Sequence, residues 1–102
     1  MTEMVTLIAF LHAKPERVAD LEKIMHAFVE PTRKEAGCVE YHLHRSNDDP
    51  NLFVFYENWR SQEDLDKHLE TPYLKSFFAT RMEYLEKDVD LQFYTMQSEF
   101  KI

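Results

Sequence analysis

Two stretches of the chain alternate apolar and polar residues with a period of two: Cys38 to Arg45 and Leu52 to Trp59. That period sends successive side chains to opposite faces, so each stretch predicts a strand with one face covered. Between them, Ser46-Asn47-Asp48-Asp49-Pro50-Asn51 is turn chemistry throughout, and the pair predicts a hairpin. Met4 to His12 is patterned differently. Val5, Leu7, Ala9 and Leu11 point one way, and Ile8 and Phe10 the other. A strand apolar on both parities is expected to be buried on both faces. Val89 to Ser98 predicts a last strand.

The remaining apolar residues recur at helical spacing. Val18, Leu21, Ile24, Met25, Phe28 and Val29 form one such face, with Pro15 suited to a first helical position. Pro31 cannot donate to the carbonyl of Ala27, so a kink or a loosened turn is expected there. Gly37, the only glycine, is expected as a left-handed helix C-cap. Ser61 with Asp64 resembles a capping box for a short second helix. Thr71 as cap and Pro72 at the first position start another, whose apolar side is Tyr73, Leu74, Phe77, Phe78, Met82 and Leu85.

The order is β-α-β-β-α-β, with the second helical segment broken in two. It predicts an α+β fold of ferredoxin-like type, with one antiparallel sheet. Two helices can cover only one face of that sheet. The doubly apolar first strand then calls for a cover on the other face, and a second copy of the same sheet is the simplest one. A homodimer is therefore expected.

Composition narrows the function. A length of 102 residues fits one domain, 1–102. Lysine and arginine total 12 against 19 acids, a net charge of −7, and the basic residues are scattered. No positive stripe exists for phosphates, so nucleic acid and anionic membranes are not expected partners. The single cysteine allows no intrachain disulfide, the N-terminus lacks a signal-peptide pattern, and no apolar run approaches the roughly 20 residues of a membrane span. A cytoplasmic protein is expected.

Cys38, Glu40, His42 and His44 share one parity of the second strand-like run and are all metal-binding types. Neighbours on one strand face lie about 6.5–7 Å apart, so two imidazoles could share an ion, but a firm site needs three ligands. The alternative is plain strand geometry, with Val39, Tyr41 and Leu43 facing the core and the other parity facing solvent or a partner. Downstream, His68 shares a helix face with Leu65 and Leu69, so it points inward over a sheet rich in Tyr and Phe. It is either a structural residue or a proton-transfer group suited to neutral pH. Glu57 beside Trp59 could orient a histidine, hold the indole N–H, or form an interface salt bridge. There is no glycine-rich phosphate loop and no nucleophile elbow.

The ordered set Glu35-x-Gly37-Cys38, Tyr41, Leu43, Asp49-Pro50-Asn51, Tyr56-Glu57-x-Trp59, His68 and Thr71-Pro72 resembles the antibiotic-biosynthesis monooxygenase family. The resemblance implies a ferredoxin-like subunit in a dimeric α+β barrel, with a pocket between sheet and helices. It is closest to small bacterial quinol monooxygenase-like members, some of which oxidise quinols or phenols with O₂ and no metal or flavin. A relative of these processes an autoinducer-2 signal instead. The resemblance makes His68 the expected base, and Tyr41, Tyr56, Trp59 and Phe77 candidates for the substrate pocket, although Tyr56 and Trp59 have opposite strand parity. A heme-degrading branch uses an Asn, a Trp and a His where this chain has residues near Ile8, His68 and Phe78; all three depart. No cofactor is expected.

Overall fold

The structure is a computed structural model and describes residues 4–101. Its elements are β1 (Val5–His12), α1 (Val18–Arg33), β2 (Cys38–Arg45), β3 (Leu52–Trp59), α2 (Gln62–Leu69), α3 (Pro72–Thr80) and β4 (Asp90–Thr95). Single 3-10 turns, Pro15–Arg17 and Arg81–Glu83, precede α1 and follow α3. The four strands form one antiparallel sheet in the order β2-β3-β1-β4, the ferredoxin-like arrangement expected from the pattern. No helix among the described residues is long and apolar enough to cross a membrane.

One face of the sheet carries the core. Leu7, Ala9 and Leu11 of β1 and Phe53 and Phe55 of β3 meet Leu21, Met25 and Phe28 of α1, Leu65 of α2, and Leu74 and Phe77 of α3. The opposite face is polar in the middle. Thr6 and Asn58 are both buried there. Thr6 Oγ1 donates to Asn58 Oδ1 at 2.5 Å, and Asn58 Nδ2 donates to Glu40 Oε2 at 2.6 Å and to the Tyr56 hydroxyl at 3.0 Å. Ile8 and Phe10 lie half-buried on this face.

Five local expectations change. Cys38 pairs with Trp59 and Glu40 with Asn58, so Val39 is the extra residue of a β-bulge. The bulge reverses parity at the strand's start: Cys38 packs against the core, and Val39 is 40% exposed instead of facing inward. Gly37 does not have a left-handed backbone. Its requirement is space, since a Cβ there would lie 2.2 Å from Cβ and Cγ of Asp64. Pro31 falls inside α1, two residues before its end, so any loosening is confined to the last turn. Thr71 occupies the N-cap of α3, but its hydroxyl does not cap it. It donates instead to the carbonyl of His68 at 2.8 Å, tying the end of α2 to the start of α3. Finally, β4 is shorter than Val89 to Ser98, because it pairs only with β1 and the ladder stops at Val5↔Thr95.

Candidate active site

Ser61 begins α2: its hydroxyl oxygen accepts from the Asp64 backbone N–H at 3.2 Å and its O–H donates to Asp64 Oδ2 at 2.9 Å. From that anchored start, helical spacing turns Leu65 and His68 onto the same inward face. His68 is 1% exposed. Its ring lies over the buried Trp59 indole, with centroids 4.6 Å apart and 31° between planes. Tyr41 meets it edge-on at 5.6 Å.

Both ring nitrogens face carboxylates. Nδ1 lies 3.0 Å from Glu35 Oε2, in the loop between α1 and β2. A carboxylate only accepts, so Nδ1 carries the proton and Nε2 is left as an acceptor. The same Glu35 oxygen accepts from the Tyr73 hydroxyl at 2.5 Å, and Thr32 Oγ1 in turn lies 2.7 Å from the Tyr73 oxygen. Since Tyr73 donates to Glu35, Thr32 donates to Tyr73. On the other side, Nε2 is 3.9 Å from Glu57 Oε1, which accepts the Trp59 indole N–H at 2.9 Å.

Burial sets the protonation states. It lowers the basicity of His68, opposed by its hydrogen bond to Glu35, so the imidazole is held neutral more readily than a free one. Burial raises the Glu57 carboxyl to about 7, against the pull of the Trp59 N–H. Burial and the nearby Glu57 drive the Tyr41 phenol far above its ordinary range. The Tyr73 hydroxyl rises to about 12, first through burial and then through its bond to Glu35.

A cavity of about 30 Å³ lies between sheet and helices. His68 and Glu57 line it together with Tyr41, Phe55 and Phe77, and its remaining lining is aliphatic or Phe. Half-buried Leu69, Phe78, Val89 and Leu91 also border it. Of the residues singled out from the sequence, His68, Tyr41 and Phe77 are brought together at the cavity. Trp59 sits behind His68 as a platform. Tyr56 lies on the opposite face of the sheet, in the Asn58 network, because its parity is that of Asn58. His42 is on that face too, 3.4 Å from Glu40 and 3.3 Å from Arg33. Among the described residues no three His, Cys, Asp or Glu side chains gather as a metal-binding group. Sequence reasoning missed Glu35, Tyr73 and Thr32 as parts of the site.

A βαββαβ fold with a histidine-bearing cavity between sheet and helices defines a class that sequence comparison resolves further. The profile of the antibiotic biosynthesis monooxygenase family matches residues 4–80, and the chain belongs to that family. It is 35% identical over 89 residues to a Mycobacterium tuberculosis protein named "Putative monooxygenase Rv0793", covering 87% of each chain. The structure of that protein superposes with a TM-score of 0.90 at 30% identity, over 96% of this chain and 99% of that one. PA3566 of Pseudomonas aeruginosa gives a TM-score of 0.89 at 33% identity, over 96% and 98%. A Synechocystis protein, sll1783, is 31% identical over 84 residues, which is 82% of this chain but 57% of that protein. This chain therefore spans little more than half of that relative.

Proposed function

We propose that this protein is a cofactor-independent monooxygenase of a small quinol or phenol, with His68 as the base. The observation that carries the reading is the oriented imidazole. Nδ1 is committed to Glu35, and Nε2 is free to accept a proton beside a largely apolar cavity. Removing the hydroxyl proton raises the electron density of the ring, so that O₂ can react with it. In a dry site the phenolate and the imidazolium attract each other strongly, which offsets the cost of burying both charges. The overall change is balanced: a phenol and O₂ give a quinone and water, with one oxygen atom entering the ring and four electrons supplied by the substrate.

A substrate ring needs more space than the cavity offers. About 150 Å³ accommodates benzene in an engineered protein cavity, against about 30 Å³ here. Leu69, Phe78, Val89 and Leu91 are the side chains that must shift to admit it. We further infer that the subunits pair through the open sheet face, in support of which Ile8 and Phe10 present half-buried apolar side chains there.

The small cavity favours one other reading, a dimeric binding or stress-response protein without turnover. Oxygen uptake across a panel of quinols and phenols separates the two. Under the oxygenase reading the wild type consumes oxygen, and His68→Ala slows uptake by about 10²–10⁴-fold. Full uptake by His68→Ala overturns the assignment to His68. No uptake by the wild type leaves the binding reading, or an isomerase of an autoinducer-type sugar that moves protons without oxygen.

A further inference from the structure

The balanced reaction moves two substrate protons into the departing water, one from the hydroxyl and one from the ring carbon that gains oxygen. A single imidazole holds one of them. The cavity contains a second group able to hold the other. Glu57 is 3% exposed, lines the cavity beside His68, and has one oxygen 3.9 Å from Nε2. That distance is too long for a direct hydrogen bond and leaves the two groups as separate proton sites facing one space. The other oxygen-bearing groups nearby are less suited. Tyr41, the cross-strand neighbour of Glu57, has its proton held tightly by burial. Glu35 is on the far side of the imidazole, with its contacting oxygen already occupied by His68 and Tyr73.

We propose that Glu57 is a second catalytic residue, the base that removes the ring proton after oxygen has added. The inference rests on the oxygenase reading given above. His68 Nε2 takes the hydroxyl proton, and the electron-rich ring carbon bonds to O₂. His68 holds that proton against the distal oxygen of the resulting peroxide and passes it over only as the O–O bond breaks. Glu57 then removes the proton from the oxygen-bearing carbon, the C–H electron pair forms the carbonyl, and the O–O bond breaks. The hydroxide released takes the proton from Glu57 and leaves as water. Both residues return to their starting states, and no external reductant is needed. The Trp59 N–H keeps the carboxylate in place throughout. A carboxyl that titrates near neutrality is available both to accept and to return a proton.

The probe is 1-naphthol, whose balanced product is 1,4-naphthoquinone, used unlabelled and deuterated at carbon 4. Glu57→Gln retains an oxygen for the indole N–H but cannot act as the base. Its oxygen uptake is expected to fall by about 10²–10⁴-fold, with a larger deuterium isotope effect than the wild type. Naphtholate should still form on the variant under argon, whereas His68→Asn should lose it. Uptake by Glu57→Gln within twofold of the wild type overturns the proposal. If thermal melting shows that variant unfolded, Glu57→Asp replaces it, with at least a tenfold loss expected and unchanged uptake overturning. If the wild type oxidises no phenol, the oxygenase reading fails and this role of Glu57 is overturned with it, whereas normal uptake by Glu57→Gln overturns the role of Glu57 alone.

Discussion

Glu57 carries a carboxyl group into the packed side of the sheet, and the fold bears a pH-dependent cost for it. Its folded-state affinity for protons is raised from 4.5 to about 7, chiefly by burial. Below pH 4.5 the group is protonated whether the chain is folded or not. Between 4.5 and 7 the unfolded chain ionises first, so this residue's contribution to stability falls as pH rises, levelling off above 7. Replacing it with Gln removes that penalty. The stability of Glu57→Gln relative to the wild type should therefore increase from pH 5 to pH 9, on the order of 3 kcal/mol, as read by urea denaturation at each pH. A difference that is flat with pH would show the carboxyl to be unperturbed. The same residue scale shows what the sequence could reveal. The inward aim of His68 follows from its spacing to Leu65 and Leu69. Glu35 lies in a loop, where no period exists to aim it, and its role depends on a contact across 33 positions.

At the scale of elements, α2 is seated by the close approach of Gly37 to Asp64. Adding one methyl group puts a carbon 2.2 Å from Cβ and Cγ of Asp64. Asp64 is tied to Ser61 and Arg60, so the start of α2 must move. Gly37→Ala should cost about 1–3 kcal/mol, measured by thermal melting. Because α2 carries His68, oxygen uptake should fall further than stability alone explains. An unchanged melting temperature would mean that the helix start yields freely. Strand and helix identities, and all the boundaries of β2 and β3, were legible in the periodic pattern. The bulge at Val39 was not, since an inserted residue leaves a short alternating run looking regular. Gly37 was recognised as special for its position after a helix, while its true constraint comes from a residue 27 places on.

The whole molecule leaves one sheet face without a helix layer, and the inferred pairing of subunits follows from that imbalance. Sedimentation should give twice the 12.3 kDa of one chain at micromolar concentration. Ile8→Glu, in the middle of that face, should yield folded monomers by placing a charge where the second sheet would pack. A wild-type monomer would remove the inference. The order of the elements pointed to this architecture, because a strand apolar on both parities requires two covers. Its polar centre, Thr6-Asn58-Glu40, was not foreseen, since these residues meet only after β1, β2 and β3 have been set in register.

The histidine site is assembled from α1, the loop after it, β3, α2 and α3, with Thr32 and Tyr73 bonded across 41 positions. No single supersecondary unit contains it. Local opening of any one of these segments disconnects the imidazole from its orienting carboxylate before the whole chain unfolds. A damaged or half-made copy is therefore silent rather than leaky: it loses the oriented imidazole on which the proposed activity depends before it loses the rest of its fold.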